Sequence, residues 1–270
     1  TIYYPLWHLE VEDMLVLKNN KGTEDNRVRQ MDYGVQFNKL MYERLIQGGN
    51  ITLFSPHDLP EMYEAFFNDQ ELFKELYEKA ERNTKIRKKT IPAGELFGKF
   101  MQERKDTGRI YLMNVDHANT HSPFKEELHP VKMSNLCTEI NLPTKPLMDI
   151  KDEAGRIALC TLSAQNWGNV RKPQDFERMC TLSVRGLDAL LSYQNYPVKA
   201  AEIATKEFRP LGNGIINFAY FLAKHDVSYS DPRALALVDE YAEAWSYYLI
   251  KASADLAKEQ GPCEKWEEIG

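Results

Sequence analysis

The sequence has few cysteines, no long apolar run and no excess of positive charge. Its 270 residues include four cysteines, which is too few for a disulfide scaffold. No stretch approaches the ~18 apolar residues of a membrane span, and no secretory signal pattern is visible. The formal net charge is -6, whereas proteins that bind a nucleic-acid backbone are usually basic. We therefore expect a cytoplasmic protein that binds neither membrane nor nucleic acid.

The apolar pattern predicts a mixed α/β fold. Hydrophobic and charged fractions of 43% and 27% are ordinary for a globular chain. Apolar residues recur at helical spacing in five segments: 39–46, 60–82, 93–107, 175–193 and 233–260. Shorter runs predict strands at 28–37, 51–54 and 108–115, and alternation at His8, Glu10 and Glu12 predicts another near the start. Strands separated by helices indicate mixed α/β layers.

Residues 134–140, Ser-Asn-Leu-Cys-Thr-Glu-Ile, carry the most chemistry in the chain. Asn135, Cys137 and Glu139 stand at a spacing of two. In an extended segment such residues point to the same side, so we expect an amide, a thiol and a carboxylate to face one spot. Intervening residues would face the opposite side and pack.

A second thiol, Cys160, lies in a mostly apolar run, 158–164. Two oxidisable thiols beside a carboxylate and an amide suggest a reaction centre. The alternative is a pair of buried structural cysteines in neighbouring strands, because free cysteine is among the most buried residue types. A second alternative is a metal-binding module that uses Cys137 and Cys160 with His117 and His121.

The sequence resembles the large (alpha) subunit of class I, aerobic ribonucleoside-diphosphate reductases, of the bacterial and bacteriophage type. The resemblance rests first on Ser-Asn-Leu-Cys-x-Glu-Ile-x-Leu-Pro-Thr and on Ala-Leu-Cys-Thr-Leu-Ser-Ala about twenty residues later. It runs essentially from end to end, since further motifs of the family recur at 4–12, 15–22, 31–36, 52–58, 114–117, 185–191 and 217–220.

The resemblance implies the fold. Large subunits of this family contain a ten-stranded α/β barrel with the Cys137 loop threaded through its centre. Residues 1–270 are then part of this catalytic barrel domain, with a helical portion. The expected piece lacks the amino-terminal regulatory region and the strand with the partner of the redox cysteine. It also lacks the carboxy-terminal part with the relay tyrosines, the phosphate-binding loop and the mobile cysteine tail.

The resemblance also implies roles for the four residues singled out. Cys137 would carry the thiyl radical, and Glu139 would be the general base on the 3′-hydroxyl of the ribose. Asn135 would hold the substrate by hydrogen bonds. Cys160 would be one of two reducing thiols, with its partner outside this sequence. No metal ligands are expected in the chain, and the loop with His117 and His121 is not a metal site in the family.

The expected partners follow from the same resemblance. They are a ribonucleoside diphosphate, a small (beta) subunit whose di-metal centre supplies the radical, the other segments of the large subunit, and thioredoxin or glutaredoxin as reductant. No cofactor is expected to be bound by this chain, and the large subunit is expected to be a homodimer. A non-catalytic segment, active only after assembly with the other pieces, is an alternative.

Overall fold

A computed structural model describes residues 1–269 of the chain. They form two compact units, one of residues 1–144 with 268 and 269, the other of residues 145–267. None of the helices in residues 1–269 is long and apolar enough to cross a bilayer.

Residues 1–269 contain seven strands and ten α-helices. The strands are β1 Ile2–Pro5, β2 Tyr33–Phe37, β3 Asn50–Phe54, β4 Lys88–Pro92, β5 Ile110–Asn114, β6 Leu162–Asn166 and β7 Gly212–Ile216. The helices are α1 Val11–Leu15, α2 Lys39–Ile46, α3 Pro60–Asn68, α4 Gln70–Arg82, α5 Ala93–Thr107, α6 Val115–Thr120, α7 Phe176–Tyr193, α8 Lys199–Phe208, α9 Phe218–Lys224 and α10 Pro232–Gln260. Short 3-10 helices lie at Glu24–Asn26, Trp167–Asn169, Pro173–Asp175 and Trp266–Glu268.

The first unit is built on a three-stranded parallel sheet in the order β1-β2-β5. All five residues of β2 are buried, as expected for a central parallel strand that is covered on both faces. Helix α2 follows β2 and helix α5 precedes β5, and their ends follow ordinary capping chemistry. Asn38 accepts from the Met41 N–H at the start of α2, and Gly108 ends α5 with a φ of 63°.

Aromatic side chains fill the core of this unit. Trp7 is fully buried and packs edge-on against Phe66, with ring centroids 5.7 Å apart. Phe37 of β2 meets Phe100 of α5 in a similar geometry at 5.0 Å. Each such edge-to-face pair stabilises the fold slightly, beyond the contribution from burying the two rings. The sheet therefore rests on a rigid aromatic layer.

A two-stranded antiparallel sheet, β3 with β4, completes the first unit. Tyr77 of α4 lies against β3, and its hydroxyl binds both backbone groups of Thr52. It accepts from the Thr52 N–H and donates to the Thr52 carbonyl oxygen, each at 2.7 Å. Both residues are buried, so this side chain takes the place of a neighbouring strand at that position.

The second unit pairs β6 with β7 in parallel, and α7 and α8 lie between them in sequence. The long helix α10 packs along α7. The core of the second unit surrounds Trp167, whose ring contacts Phe176 and Phe221 at centroid distances of 5.3 and 5.2 Å. Gly212 of β7 leaves room for Leu162 of β6, because a Cβ at Gly212 would lie 2.3 Å from the Leu162 Cδ2.

Several predicted elements need correction. The alternation at His8, Glu10 and Glu12 does not form a strand; a short helix, α1, begins at Val11 and buries Val11 and Leu15 four residues apart. The predicted strand at 28–37 is confined to Tyr33–Phe37. The predicted helix at 60–82 is two helices, since Asp69 is extended and caps α4 by accepting from the Leu72 N–H at 2.9 Å.

Replacing Tyr77 with phenylalanine tests the bond to β3. The change leaves a buried N–H and a buried carbonyl of Thr52 without partners, which typically costs about 2 kcal/mol. We expect the free energy of unfolding in urea to fall by that amount. Tyr193→Phe is the control, since its ring is 87% exposed. Equal stabilities of the two variants would contradict this account of Tyr77.

Candidate active site

The segment before the cysteine motif is fixed to the first unit by side-chain amides. Asn119 of α6 donates to the Val131 carbonyl oxygen at 3.0 Å and accepts from the Val131 N–H at 2.6 Å. Gln36 of β2 donates to the Lys132 carbonyl oxygen at 2.6 Å. Asn119 and Gln36 are both buried. The chain therefore reaches the cysteine motif along a defined path.

Residues 135–140, here called the cysteine turn, are not extended. The chain turns at 136–138, and the Asn135 Oδ1 accepts from the backbone N–H groups of Glu139 and Ile140, each at 3.1 Å. Thr138 adopts a φ of 69°. The expected alternation of faces is wrong because an asparagine side chain that binds backbone donors a few residues ahead stabilises a turn.

The turn nevertheless presents the predicted groups to solvent. Cys137 and Glu139 are exposed, and Asn135 is half-buried. Within residues 1–269, the Asn135 Nδ2 donates no hydrogen bond, so it is available to a ligand. The alternative of a buried structural cysteine is wrong for Cys137. Cys180, by contrast, is buried within α7.

The sheet below the turn has a glycine between two tyrosines. Tyr3 of β1 pairs with Gly34 of β2, which pairs with Tyr111 of β5. Paired residues of neighbouring strands point to the same face, and strands lie about 4.8 Å apart. The two tyrosines are thus separated by roughly twice that distance, with no side chain from Gly34 between them.

Tyr3 binds the cysteine turn through its hydroxyl. The Tyr3 hydroxyl donates to the Asn135 carbonyl oxygen at 2.7 Å and lies 2.8 Å from the Thr138 Oγ1. Burial raises the pKa of Tyr3 above its usual range, despite the opposing bond to Thr138. Burial raises the pKa of Tyr111, and the nearby Cys137 thiol raises it further. Both phenols therefore remain protonated at neutral pH.

Cys160 belongs to the second unit and lies two residues before β6. Its side chain is exposed. The alternative of a buried structural cysteine is therefore wrong for this residue also. Cys263 is half-buried.

The segment of His117 and His121 is helical rather than a loop. Residues 115–120 form α6, and the rings of His117 and His121 meet edge-on with centroids 5.4 Å apart. The His121 Nδ1 lies 3.0 Å from the Thr120 Oγ1. No group of three or more His, Cys, Asp or Glu side chains arranged for a metal occurs in residues 1–269. The grouping required by the metal-module alternative is not found there.

Comparison with known proteins assigns this arrangement to a family. A family model described as "Ribonucleotide reductase, barrel domain" matches residues 1–269. The chain belongs to this family. The match confirms the expected fold class, an α/β barrel domain represented in part.

Individual relatives agree with this assignment. The chain is 60% identical over 268 residues to the ribonucleoside-diphosphate reductase subunit alpha of Haemophilus influenzae, covering 99% of this chain and 35% of the relative. It is 59% identical over 268 residues to subunit alpha of ribonucleoside-diphosphate reductase 1 of Escherichia coli, with the same coverages. Identity to the phage T4 subunit alpha is 50% over 271 residues, again at 99% and 35%. The chain thus spans about a third of the length of these relatives.

Sequence reasoning missed three residues that hold the turn of this reductase-family chain: Tyr3, Gly34 and Gln36. Gly34 carried a usable signal, since a glycine inside an apolar strand often marks a close approach of another segment. Tyr3 carried none, because its contact with residues 135 and 138 crosses more than 130 positions of sequence.

Asn135→Ala tests how the turn is held. The change removes the acceptor for two backbone N–H groups, so we expect amide hydrogen exchange at Glu139 and Ile140 to accelerate by about tenfold, the equivalent of about 1.4 kcal/mol. Asn135→Asp is the matched control because it keeps an oxygen in the same place. Slow exchange in the alanine variant would show that the turn does not depend on this side chain.

Proposed function

We propose that the chain is the part of a ribonucleoside-diphosphate reductase alpha subunit that carries the radical-bearing cysteine. The observation that supports the proposal most directly is an exposed thiol and an exposed carboxylate, Cys137 and Glu139, on a turn fixed to the sheet. A group that must react with a bound substrate needs both accessibility and a fixed position. The family assignment supplies the reaction class.

In the proposed reaction, Cys137 removes the 3′-hydrogen of a ribonucleoside diphosphate as a thiyl radical. Glu139 accepts the proton of the 3′-hydroxyl, and the 2′-hydroxyl leaves as water after protonation by a thiol. Two thiols supply two electrons and become a disulfide, and the hydrogen on Cys137 then returns to the 3′ carbon. The product is a 2′-deoxyribonucleoside diphosphate.

Two further residues complete the proposed set. Asn135 uses its Oδ1 inside the turn, so only its Nδ2 is available to hold a substrate oxygen. Cys160 is one of the two reducing thiols, and its exposed side chain is compatible with disulfide exchange. Its partner thiol is proposed to lie on a segment outside these 270 residues.

The proposed activity requires partners. The radical is supplied by a small subunit with a di-metal centre, and no cofactor is proposed for this chain. The other alpha-subunit segments, thioredoxin or glutaredoxin, and a second copy of the large subunit complete the proposed assembly, which is cytoplasmic. Since the chain spans about a third of its relatives, turnover is expected from the assembled enzyme rather than from this chain alone.

Cys137→Ser tests the central role. In the assembled enzyme we expect nucleotide reduction to be abolished, because an alcohol oxygen is much harder to oxidise to a radical than a thiol, while substrate binding measured by equilibrium dialysis is retained. Cys263→Ser is the control, a half-buried thiol of the second unit. Substantial turnover in the Cys137 variant would refute the proposal.

Glu139→Gln tests the proton acceptor. Glutamine has nearly the same shape but cannot accept a proton, and loss of general-base help typically costs ~10²–10⁴-fold. We expect the rate of substrate-radical formation, measured by rapid-quench kinetics, to fall by that factor, with little change in KM. Glu153→Gln, an exposed carboxylate in the second unit, is the control. An unchanged rate would make Glu139 a structural residue.

A further inference from the structure

We propose that Tyr3, Gly34 and Thr138 form a latch that positions Cys137, an inference that rests on the proposed function and adds positioning residues to it. Nothing in the cysteine motif itself points to Tyr3 or Gly34. They lie on the two neighbouring strands β1 and β2, and the turn lies over them.

The first component is space. A Cβ at Gly34 would lie 2.3 Å from the Tyr3 Cε1 and 2.5 Å from its Cδ1. Any side chain at this position would therefore displace the Tyr3 ring. Gly34 is a strand residue with an ordinary negative φ, so its backbone conformation does not require glycine. Glycine is needed here because it lets the Tyr3 ring approach the strand closely. The ring lies across β2 and carries its hydroxyl to the turn.

The second component is a directed pair of hydrogen bonds. The Asn135 carbonyl oxygen can only accept, so the single Tyr3 hydroxyl proton goes to it. The contact of 2.8 Å between Tyr3 and Thr138 then requires the Thr138 hydroxyl to donate to the Tyr3 oxygen. The Tyr3 hydroxyl thereby joins Asn135, at the start of the cysteine turn, to Thr138, three residues later.

The third component is backbone strain at Thr138. A φ of 69° in a β-branched residue is unfavourable because its Cβ crowds the backbone. Such a conformation persists only where surrounding contacts impose it. Cys137 directly precedes Thr138, so release of this strain would change the direction in which the thiol points.

The experiment compares two tyrosines that are adjacent in sequence. Tyr3→Phe keeps the ring over Gly34 and removes only the hydroxyl. Tyr4→Phe removes a hydroxyl that is buried and has no hydrogen-bond partner in residues 1–269. We expect amide exchange of residues 136–140 to accelerate about tenfold in the Tyr3 variant and to stay unchanged in the Tyr4 variant. In the assembled enzyme, kcat should fall at least tenfold in the Tyr3 variant, with KM unchanged.

A rescue variant separates positioning from general destabilisation. Asparagine adopts positive φ more readily than threonine, so Thr138→Asn added to Tyr3→Phe should return both exchange and kcat toward the values of the unmodified protein. Exchange in Tyr3→Phe equal to that in Tyr4→Phe would overturn the latch. Faster exchange with unchanged kcat would overturn its role in positioning Cys137. Failure of the proposed function is distinguished by Cys137→Ser, whose retained turnover would refute it whatever the exchange results.

Discussion

The parallel register of β1, β2 and β5 places Gly34 between Tyr3 and Tyr111, and the position of the cysteine turn depends on that row. A shift of one residue in either strand pair would send the tyrosines to opposite faces. The register is itself held by the aromatic layer packed against the sheet, in which Phe37 and Phe100 are almost completely buried. Packing in the core thus determines where a thiol far away in sequence is held.

The turn combines fixed backbone with accessible side chains. The Asn135 side chain binds backbone donors within the turn, and the neighbouring sheet holds the turn by hydrogen bonding to its backbone. The thiol of Cys137 and the carboxylate of Glu139 remain exposed. In the proposed reaction, radical transfer to carbon requires a short, well-aligned approach, so a thiol on a loose loop would be less effective. Strain at Thr138 is consistent with this demand, because unfavourable backbone conformations concentrate at functional sites.

Local signals in the sequence were sufficient for some elements and not for others. Helix α5 begins and ends at the predicted residues, since helical spacing and a terminating Gly108 act over short distances. The shape of the motif at 134–140 could not be predicted from spacing alone, because one amide side chain, that of Asn135, competes with the extended backbone. Cys137 and Glu139, the groups proposed to react, could nevertheless be singled out from the sequence. Their support by Tyr3 depends on strand pairing that no local pattern encodes.

Strand β3 also shows how a sheet edge can be closed without another strand. In an antiparallel pair, alternate residues direct their backbone groups away from the partner strand, and Thr52 and Phe54 are such residues in β3. The Tyr77 hydroxyl binds the backbone groups of Thr52. The backbone N–H of Phe54 donates to the Trp7 carbonyl oxygen at 2.8 Å, and the Phe54 carbonyl oxygen accepts from the Leu9 N–H at 2.7 Å. At these two positions, an incoming strand from another molecule would find no unpaired backbone group, which disfavours edge-to-edge association along this part of β3.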